Sequence, residues 1–273
     1  MKQQEKGFMD HQFTSYYLDR PLVKGRVFDV FEPEKITKDT AVFFVHGGGW
    51  HAGARAHYHE LMQELNNRGW LTAATDYRLE RVTGFDQLKD IREAYDRFVS
   101  WLKQRGLPLK IAVYGGSAGA HLASLMCFAD PGECGEKCQL ENDWVKPCKV
   151  MLQATPYDFL HWEGMMPQFW SLMQQVAGCP YEKDPAPFER LSLKNYIRKD
   201  NPQTFFIEAE LEHLFPSELT LKIAQEHRKM GINSQWKVYT RMEHGFLYEL
   251  KRKAQIEAFE DLCLFLDDRL ETL

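Results

Sequence analysis

Two short glycine-rich runs hold the residues of this chain whose types and spacing could do chemistry. Residues 46–50 read HGGGW and follow the apolar stretch 41–45, while residues 115–119 read GGSAG and follow the apolar stretch 111–114. The second run is a G-x-S-x-G pattern on a predicted strand-to-helix turn, the context in which Ser117 becomes a nucleophile. The first is a turn whose backbone N–H groups are free to bind an oxyanion. Together the two runs predict acyl transfer.

The glycines around Ser117 have a steric reason. Side chains two residues before or after a serine on so tight a turn would collide with the neighbouring backbone, and Gly115 and Gly119 remove them. The residues from Ala118 onward predict a helix whose N–H groups and dipole favour negative charge at Ser117. The alternative is a small-residue junction without chemistry, which the upstream HGGGW run disfavours.

The two runs resemble those of the α/β-hydrolases of the esterase and lipase group that carry an HGGGW oxyanion motif. This group includes the hormone-sensitive-lipase-like esterases and similar acetylxylan and feruloyl esterases. The resemblance extends to the DYRL run at 76–79 and covers the chain from about Ala41 onward, although the segment after Asp130 diverges. It implies a serine hydrolase that acts on carboxylic esters and needs neither a metal nor a cofactor.

The predicted base is His244. It follows the last predicted strand and precedes the C-terminal helix, where this fold places its histidine, and Gly245 lets the loop turn sharply. Structural or peripheral positions are predicted for the other histidines considered, which are His46, His121, His161 and His213.

The acid is expected after the strand at 204–209. Members of the esterase group that the chain resembles typically show a Gly-x-x-Asp-x-Leu-x-Pro-like run, and matching Leu214 and Pro216 to it puts Glu212 at the acid position. Glutamate can hold the imidazole as aspartate does. Glu210 remains the alternative.

The resemblance also assigns the oxyanion hole to the N–H groups of Gly48, Gly49 and Ala118. Two interpretations of Trp50 stay open, either packing beneath the turn or forming a wall of the substrate pocket.

The periodicity predicts an α/β-hydrolase fold with a mostly parallel central sheet and helices on both faces, as one domain over 1–273. Strands are predicted over 26–31, 41–45, 70–75, 110–114, 150–154, 204–209 and 235–239. Helices are predicted over 57–68, 85–104, 217–230 and 253–270, with the nucleophile helix starting at 118.

About fifty residues separate the strands at 150–154 and 204–209, too many for a simple crossover helix. Residues 156–202 are therefore predicted to form a cap or lid insert, with a short helix over 172–176. Its Met and aromatic residues are either core or the apolar underside of a lid that binds substrate. The candidate substrate-binding residues are Trp50, Tyr157, Trp162, Met166, Phe169 and Trp170.

Composition limits the partners. The 273 residues are 44% hydrophobic and 27% charged, and the net charge of −5 gives no basic footprint for nucleic acid. No apolar leader or membrane span is visible, so a cytoplasmic protein is predicted. Cys134, Cys138 and Cys148 lack a second ligand pair for zinc, so reduced thiols on a surface loop are predicted. The composition does not determine the oligomeric state, so assembly as a homo-oligomer remains an alternative to a monomer.

Three functions are weighed. The first is a carboxylesterase that removes short acyl or hydroxycinnamoyl groups from small-molecule or oligosaccharide esters. The second is an arylformamidase-like amide hydrolase, because kynurenine formamidases resemble this chain in their HGG-x-W turn. The third is a hydrolase fold without catalysis that serves in binding, which the retention of Ser117, His244 and an acid disfavours.

Overall fold

The computed structural model describes residues 2–6, 12–162 and 164–270, so the N-terminal stretch inspected for a leader lies partly outside the described residues. The described strands form one nine-stranded sheet in the order β1-β2-β3-β5-β4-β6-β7-β8-β9. The strands are β1 (Lys2–Lys6), β2 (Gln12–Tyr17), β3 (Val27–Phe31), β4 (Thr40–Val45), β5 (Thr72–Thr75), β6 (Lys110–Gly116), β7 (Lys149–Gln153), β8 (Gln203–Leu211) and β9 (Ser234–Glu243).

Six of these strands, β4 to β9, are mutually parallel, whereas β1, β2 and β3 pair antiparallel at one edge. The helices are α1 (His59–Asn67), α2 (Gly84–Gln104), α3 (Ala118–Phe128), α4 (Pro167–Ala177), α5 (Ala186–Leu191), α6 (Ser217–Lys229) and α7 (Lys253–Leu266). Two 3₁₀ turns, Arg55–Tyr58 and Leu193–Tyr196, complete the described elements.

Helices cover both faces of the sheet because the strands are apolar on both. In β4, Phe43 and Val45 belong to a cluster formed with α2 and α3, whereas Val42 and Phe44 belong to a second cluster formed with α1 and α7. Successive side chains of a strand point to opposite faces, so a wholly buried strand needs two apolar sides. The α/β-hydrolase fold predicted from the sequence is confirmed, and all seven predicted strands are present.

Strands β1 and β2 were not predicted. Strand β2 lies beside β3 through long-range contacts, with the Phe13 and Phe31 rings 5.1 Å apart and the Tyr16 and Phe28 rings 5.2 Å apart. Local alternation in so short a segment does not reveal such a partner. Strand β9 also extends four residues beyond the predicted end, to Glu243.

The helix that follows Ser117 is fixed at its far end by a buried charge. Arg92 of α2 donates to the carbonyls of Leu125 and Met126, in the last turn of α3, and of Ala129, which caps that helix, at 3.0–3.3 Å. Its guanidinium also lies 2.7 Å from the buried Glu136 carboxylate. A cation at a helix C-terminus satisfies orphan carbonyls and complements the dipole.

The segment between β7 and β8 is built from α4, α5 and a 3₁₀ turn. Helix α4 is longer than the predicted 172–176 and starts at Pro167, where the missing N–H costs nothing. Met173, Phe188 and Leu193 are buried in the same cluster as α2 and α3. Much of this segment is therefore core packing.

The cysteine prediction needs one correction. Cys134 does not lie on the surface; it is buried, and burial raises the pKa of its thiol to about 12. Cys127 and Cys263 are also buried, and all six cysteines are free thiols. Among the residues that the structure describes, no helix has the length and apolar character to cross a membrane.

Candidate active site

The carboxyl ends of four parallel strands meet at one edge of the sheet. The HGGGW turn follows β4, Ser117 follows β6, Glu212 follows β8 and His244 follows β9. Parallel strands place these loops on one side, the edge at which α/β proteins bind ligands.

Ser117 lies on a strained turn that joins β6 to α3. Its backbone has φ 54° and ψ −121°, a conformation that L residues rarely adopt. The Ser117 N–H donates to the Gln153 carbonyl at 2.8 Å, which anchors the turn to β7. A Cβ on Gly119 would lie 2.2 Å from the Val45 carbonyl oxygen, so glycine is required where the two turns touch.

Ser117, His244 and Glu212 form one hydrogen-bonded chain. The Ser117 Oγ lies 2.8 Å from His244 Nε2, and Glu212 Oε2 lies 2.8 Å from His244 Nδ1. In the neutral imidazole, Nδ1–H donates to the carboxylate and Nε2 accepts from the serine hydroxyl. The structure thus brings together three residues that the sequence separates by up to 127 positions.

Glu212 is held as a carboxylate. Burial works to raise its pKa, but hydrogen bonding and charge attraction from His244, with the Leu214 and Phe215 N–H groups, hold that pKa below its usual value. Its Oε1 accepts from the Leu214 N–H at 2.8 Å, so the longer glutamate side chain is fixed at both oxygens.

The alternative acids lie elsewhere. Glu210 is exposed, and its Oε2 accepts from the Arg241 N–H at 2.7 Å. Glu208 is buried and accepts from the Thr220 hydroxyl at 2.7 Å, and burial raises its pKa to about 8. Of these three glutamates, only Glu212 contacts His244 in the part of the chain that the structure describes.

The HGGGW turn presents free backbone donors beside Ser117. Neither Gly48 nor Gly49 donates its N–H to another group in the described part of the chain, although the Gly48 carbonyl accepts from the Ala52 N–H at 2.9 Å. Ala118 is the first residue of α3, where an N–H has no partner within the helix. All three predicted donors therefore remain available.

Two buried histidines support these turns. His46 Nδ1 lies 2.8 Å from the Gly47 carbonyl, and its ring stacks on Tyr77 with centroids 4.2 Å apart. His121 bridges the Trp50 indole N–H and the Leu191 carbonyl at 3.2 and 2.7 Å. Burial lowers the pKa of both imidazoles, that of His121 to about 4, so both are neutral at neutral pH.

Gln153, which was not singled out from the sequence, ties the serine turn to the histidine loop. Its backbone carbonyl accepts from the Ser117 N–H. When the amide is oriented so that both its oxygen and its nitrogen have hydrogen-bond partners, the oxygen accepts from the Phe246 and Leu247 N–H groups at 2.9 and 3.1 Å. Its amide nitrogen then donates to the Tyr114 hydroxyl. A glutamine at a strand end carries no distinctive pattern, so only the fold reveals this role.

Aromatic rings line the side of the site next to His244. The Phe215 ring lies 5.6 Å from the His244 ring, and Phe169 and Trp162 follow at 5.3 and 6.0 Å from Phe215. Trp50 is only 2% exposed, and its ring lies 5.9 Å from that of Phe169. Phe215 was missed because its place beside the histidine depends on the loop after β8.

The other candidate substrate residues lie in different surroundings. The Trp170 ring packs against Phe188 and Tyr181 at 5.4 and 5.7 Å. Met166 is exposed and Tyr157 is half-buried. Among the described residues, no group of three or more His, Cys, Asp or Glu side chains is arranged to hold a metal ion.

The sequence pattern of the BD-FAE family matches residues 28–226, well over half of the chain. The chain belongs to the BD-FAE family. This BD-FAE protein is 26% identical over 187 residues to Esterase LipQ and 27% identical over 217 residues to the probable carboxylic ester hydrolase LipM, both of Mycobacterium tuberculosis. These alignments cover 63% and 75% of the chain but 42% and 49% of the relatives, so the chain spans about half of their length.

Solved structures show the same fold. Esterase B of Lactobacillus rhamnosis superposes on this BD-FAE protein with a TM-score of 0.80 at 19% identity, covering 96% of this chain and 87% of the other. That esterase has also been solved with a tributyrin phosphonate inhibitor.

Proposed function

We propose that this protein is a serine carboxylesterase that uses Ser117 as nucleophile, His244 as base and Glu212 as the orienting acid. The observation that carries the proposal is the hydrogen-bonded chain from Ser117 Oγ through both ring nitrogens of His244 to Glu212, at 2.8 Å for each contact. The named esterases among its relatives support the same activity.

The proposed reaction begins when Ser117 attacks the ester carbonyl and His244 Nε2 takes its proton. The carbonyl oxygen gains negative charge and is stabilised by the N–H groups of Gly48, Gly49 and Ala118. Losing one such donor typically costs about a hundred- to a thousandfold in turnover. His244 then gives its proton to the departing alcohol, leaving an acyl-enzyme.

Water completes the proposed cycle. His244 removes a proton from the water that attacks the acyl-enzyme and returns the proton to Ser117 as the acid departs. Glu212 stabilises the imidazolium in both halves of the cycle and stays ionised throughout. Its lowered pKa is consistent with this role.

The proposed substrates are short-chain acyl or hydroxycinnamoyl esters of carbohydrate. The Phe215 ring beside His244, with the Phe169 and Trp162 rings against it, favours a flat aryl or sugar ring, because such rings stack on aromatic side chains. We further propose that residues 156–202 act as a cap within a single domain.

A substrate panel tests the proposal. Acetyl, butyryl, octanoyl and feruloyl esters are assayed beside N-formylkynurenine, with Ser117→Ala as the inactive control. We expect the native protein to hydrolyse acetyl or feruloyl esters. We expect Ser117→Ala to lose this activity while its thermal midpoint stays within a few degrees of the native value. Preferred cleavage of N-formylkynurenine would instead assign an amide hydrolase.

A further inference from the structure

A cavity of about 630 Å³ opens beside the HGGGW turn and is not explained by the catalytic chain. It lies between the second half of α4, the loop before α2 and the residues that follow Gly49. Trp50 and Val176, 2% and 5% exposed, give it an apolar floor. The Gln87 amide fixes this floor, since it donates to the Trp50 and Arg78 carbonyls at 2.6 and 3.0 Å.

The cavity lies on the oxyanion side of the site. A Cβ on Gly49 would meet the His51 ring at 3.2 Å and the Leu172 side chain at 3.5 Å, and both residues line the cavity. None of the residues that surround His244, namely Glu212, His213 and Phe215, lines it. The leaving oxygen of an ester must face His244, so the acyl group points away from it, and the cavity adjoins Gly49, one of the proposed oxyanion donors.

The charge of the cavity is unusual for this protein. The chain carries a net charge of −5, yet no aspartate or glutamate is among the lining residues. The lining includes the exposed guanidinium of Arg81, which forms no ion pair or hydrogen bond with any other described residue. Its neighbours are paired, since Lys24 binds Glu80 and Arg78 binds Asp90.

Uncharged hydrogen-bonding groups also line the cavity. They include the Ser171 hydroxyl and the Gln174 and Gln175 amides, which lie on the same helix. An unpaired guanidinium, amide donors and a hydroxyl together match a carboxylate, which guanidinium binds with two parallel hydrogen bonds. The apolar floor suits the methylene groups that would join such a carboxylate to the scissile ester.

We propose that this cavity binds an acyl chain that ends in a carboxylate, so that the protein cleaves half-esters of dicarboxylic acids, with Arg81 binding the free carboxylate. This inference rests on the proposed esterase function and adds to the acyl groups considered above. Arg81 lies outside the catalytic chain and determines which acyl group is accepted.

The test compares charged and neutral acyl groups of similar size. The 4-nitrophenyl half-esters of succinic, glutaric and adipic acids are assayed beside neutral 4-nitrophenyl esters of matching chain length. The native protein should prefer at least one half-ester over its neutral counterpart, and the preference should decrease as salt is raised because the site is open to solvent.

Variants assign the preference to Arg81. Arg81→Gln should lower kcat/KM for the preferred half-ester about two- to fivefold through KM, the size expected of an exposed ion pair, and leave the neutral ester unchanged. Arg81→Lys should restore part of the loss. Arg241→Gln is the matched control, because Arg241 is also exposed and has the same left-handed backbone, with φ 57°.

The outcomes separate the two proposals. Hydrolysis of the neutral esters without preference for any half-ester, or an equal loss for both classes in Arg81→Gln, overturns the acyl cavity and leaves the esterase function intact. Failure of the native protein to hydrolyse any of these esters overturns the esterase function, and the acyl cavity with it.

Discussion

The catalytic edge of the sheet and the segment between β7 and β8 are built by different means. At the edge, backbone atoms determine the geometry: the turns at Gly48 and Ser117 touch through glycines, and the Gly48 and Gly49 N–H groups have no partner in the described part of the chain. In the segment, side chains do the work, and aromatic rings such as Phe169 and Trp170 pack in directions that no local pattern specifies. Backbone geometry at a tight turn requires particular residue types, which can be recognised in the sequence. Packing between side chains requires few particular residue types and is therefore hard to recognise there.

The largest effect is expected at the catalytic edge, from Glu212→Gln. The glutamine keeps the size but presents an N–H to His244 Nδ1, which favours the wrong tautomer and removes the charge that stabilises the imidazolium. Turnover should fall about ten-thousandfold, as in the corresponding serine-protease substitution, with little change in KM. Glu210→Gln is the control and should cost little. Similar losses in both variants would contradict the assignment of the acid.

A smaller loss is expected where one side chain joins two loops. Gln153→Met leaves the Phe246 and Leu247 N–H groups without their acceptor, so the loop that carries His244 loses its anchor. Because an unpaired buried donor costs about 1–3 kcal/mol, turnover should fall about ten- to a hundredfold while KM stays near the native value. Gln153→Glu keeps the acceptor and should recover part of the rate. An unchanged turnover in Gln153→Met would show that the loop that carries His244 keeps its position without the Gln153 side chain.

The segment between β7 and β8 should respond in affinity rather than turnover. Phe169→Leu removes a ring that lies 5.3 Å from Phe215, on the His244 side where the alcohol departs, so KM for 4-nitrophenyl acetate should rise about two- to fivefold while that for ethyl acetate is unaffected. Trp170→Leu should lower the thermal midpoint without this change in KM, because its ring packs on Phe188. The reverse pattern would place the substrate on the other side of α4.

The smallest effect on activity is expected at Glu208, which lies in β8, four residues before Glu212, but has the opposite pKa shift. Its pKa of about 8 means that the folded protein holds a proton that the unfolded chain releases above its ordinary pKa. The contribution of this proton to the free energy of unfolding is therefore fully present at low pH and is lost as pH rises toward 8. Glu208→Gln should raise the thermal midpoint relative to the native protein more at pH 8 than at pH 5, by a few degrees. An equal difference at both pH values would contradict the buried, protonated carboxyl.

The sequence predicted the parts of the site on which chemistry and backbone geometry impose fixed residues. The G-x-S-x-G turn, the HGGGW turn and the positions of His244 and Glu212 follow from the order of elements in the fold. Gln153 and Phe215 could not be found in this way, since both are ordinary residues whose roles depend on strands far apart in the chain. Strand β2 and the buried Cys134 were missed for the same reason.

The most direct test of the catalytic chain is covalent labelling of the native protein with a fluorophosphonate, followed by peptide mapping. A serine activated by His244 should react with this probe and carry the whole adduct on Ser117, with labelling abolished in Ser117→Ala and strongly slowed in Glu212→Gln. Absence of an adduct, or an adduct on another residue, would contradict the account of Ser117 as the nucleophile.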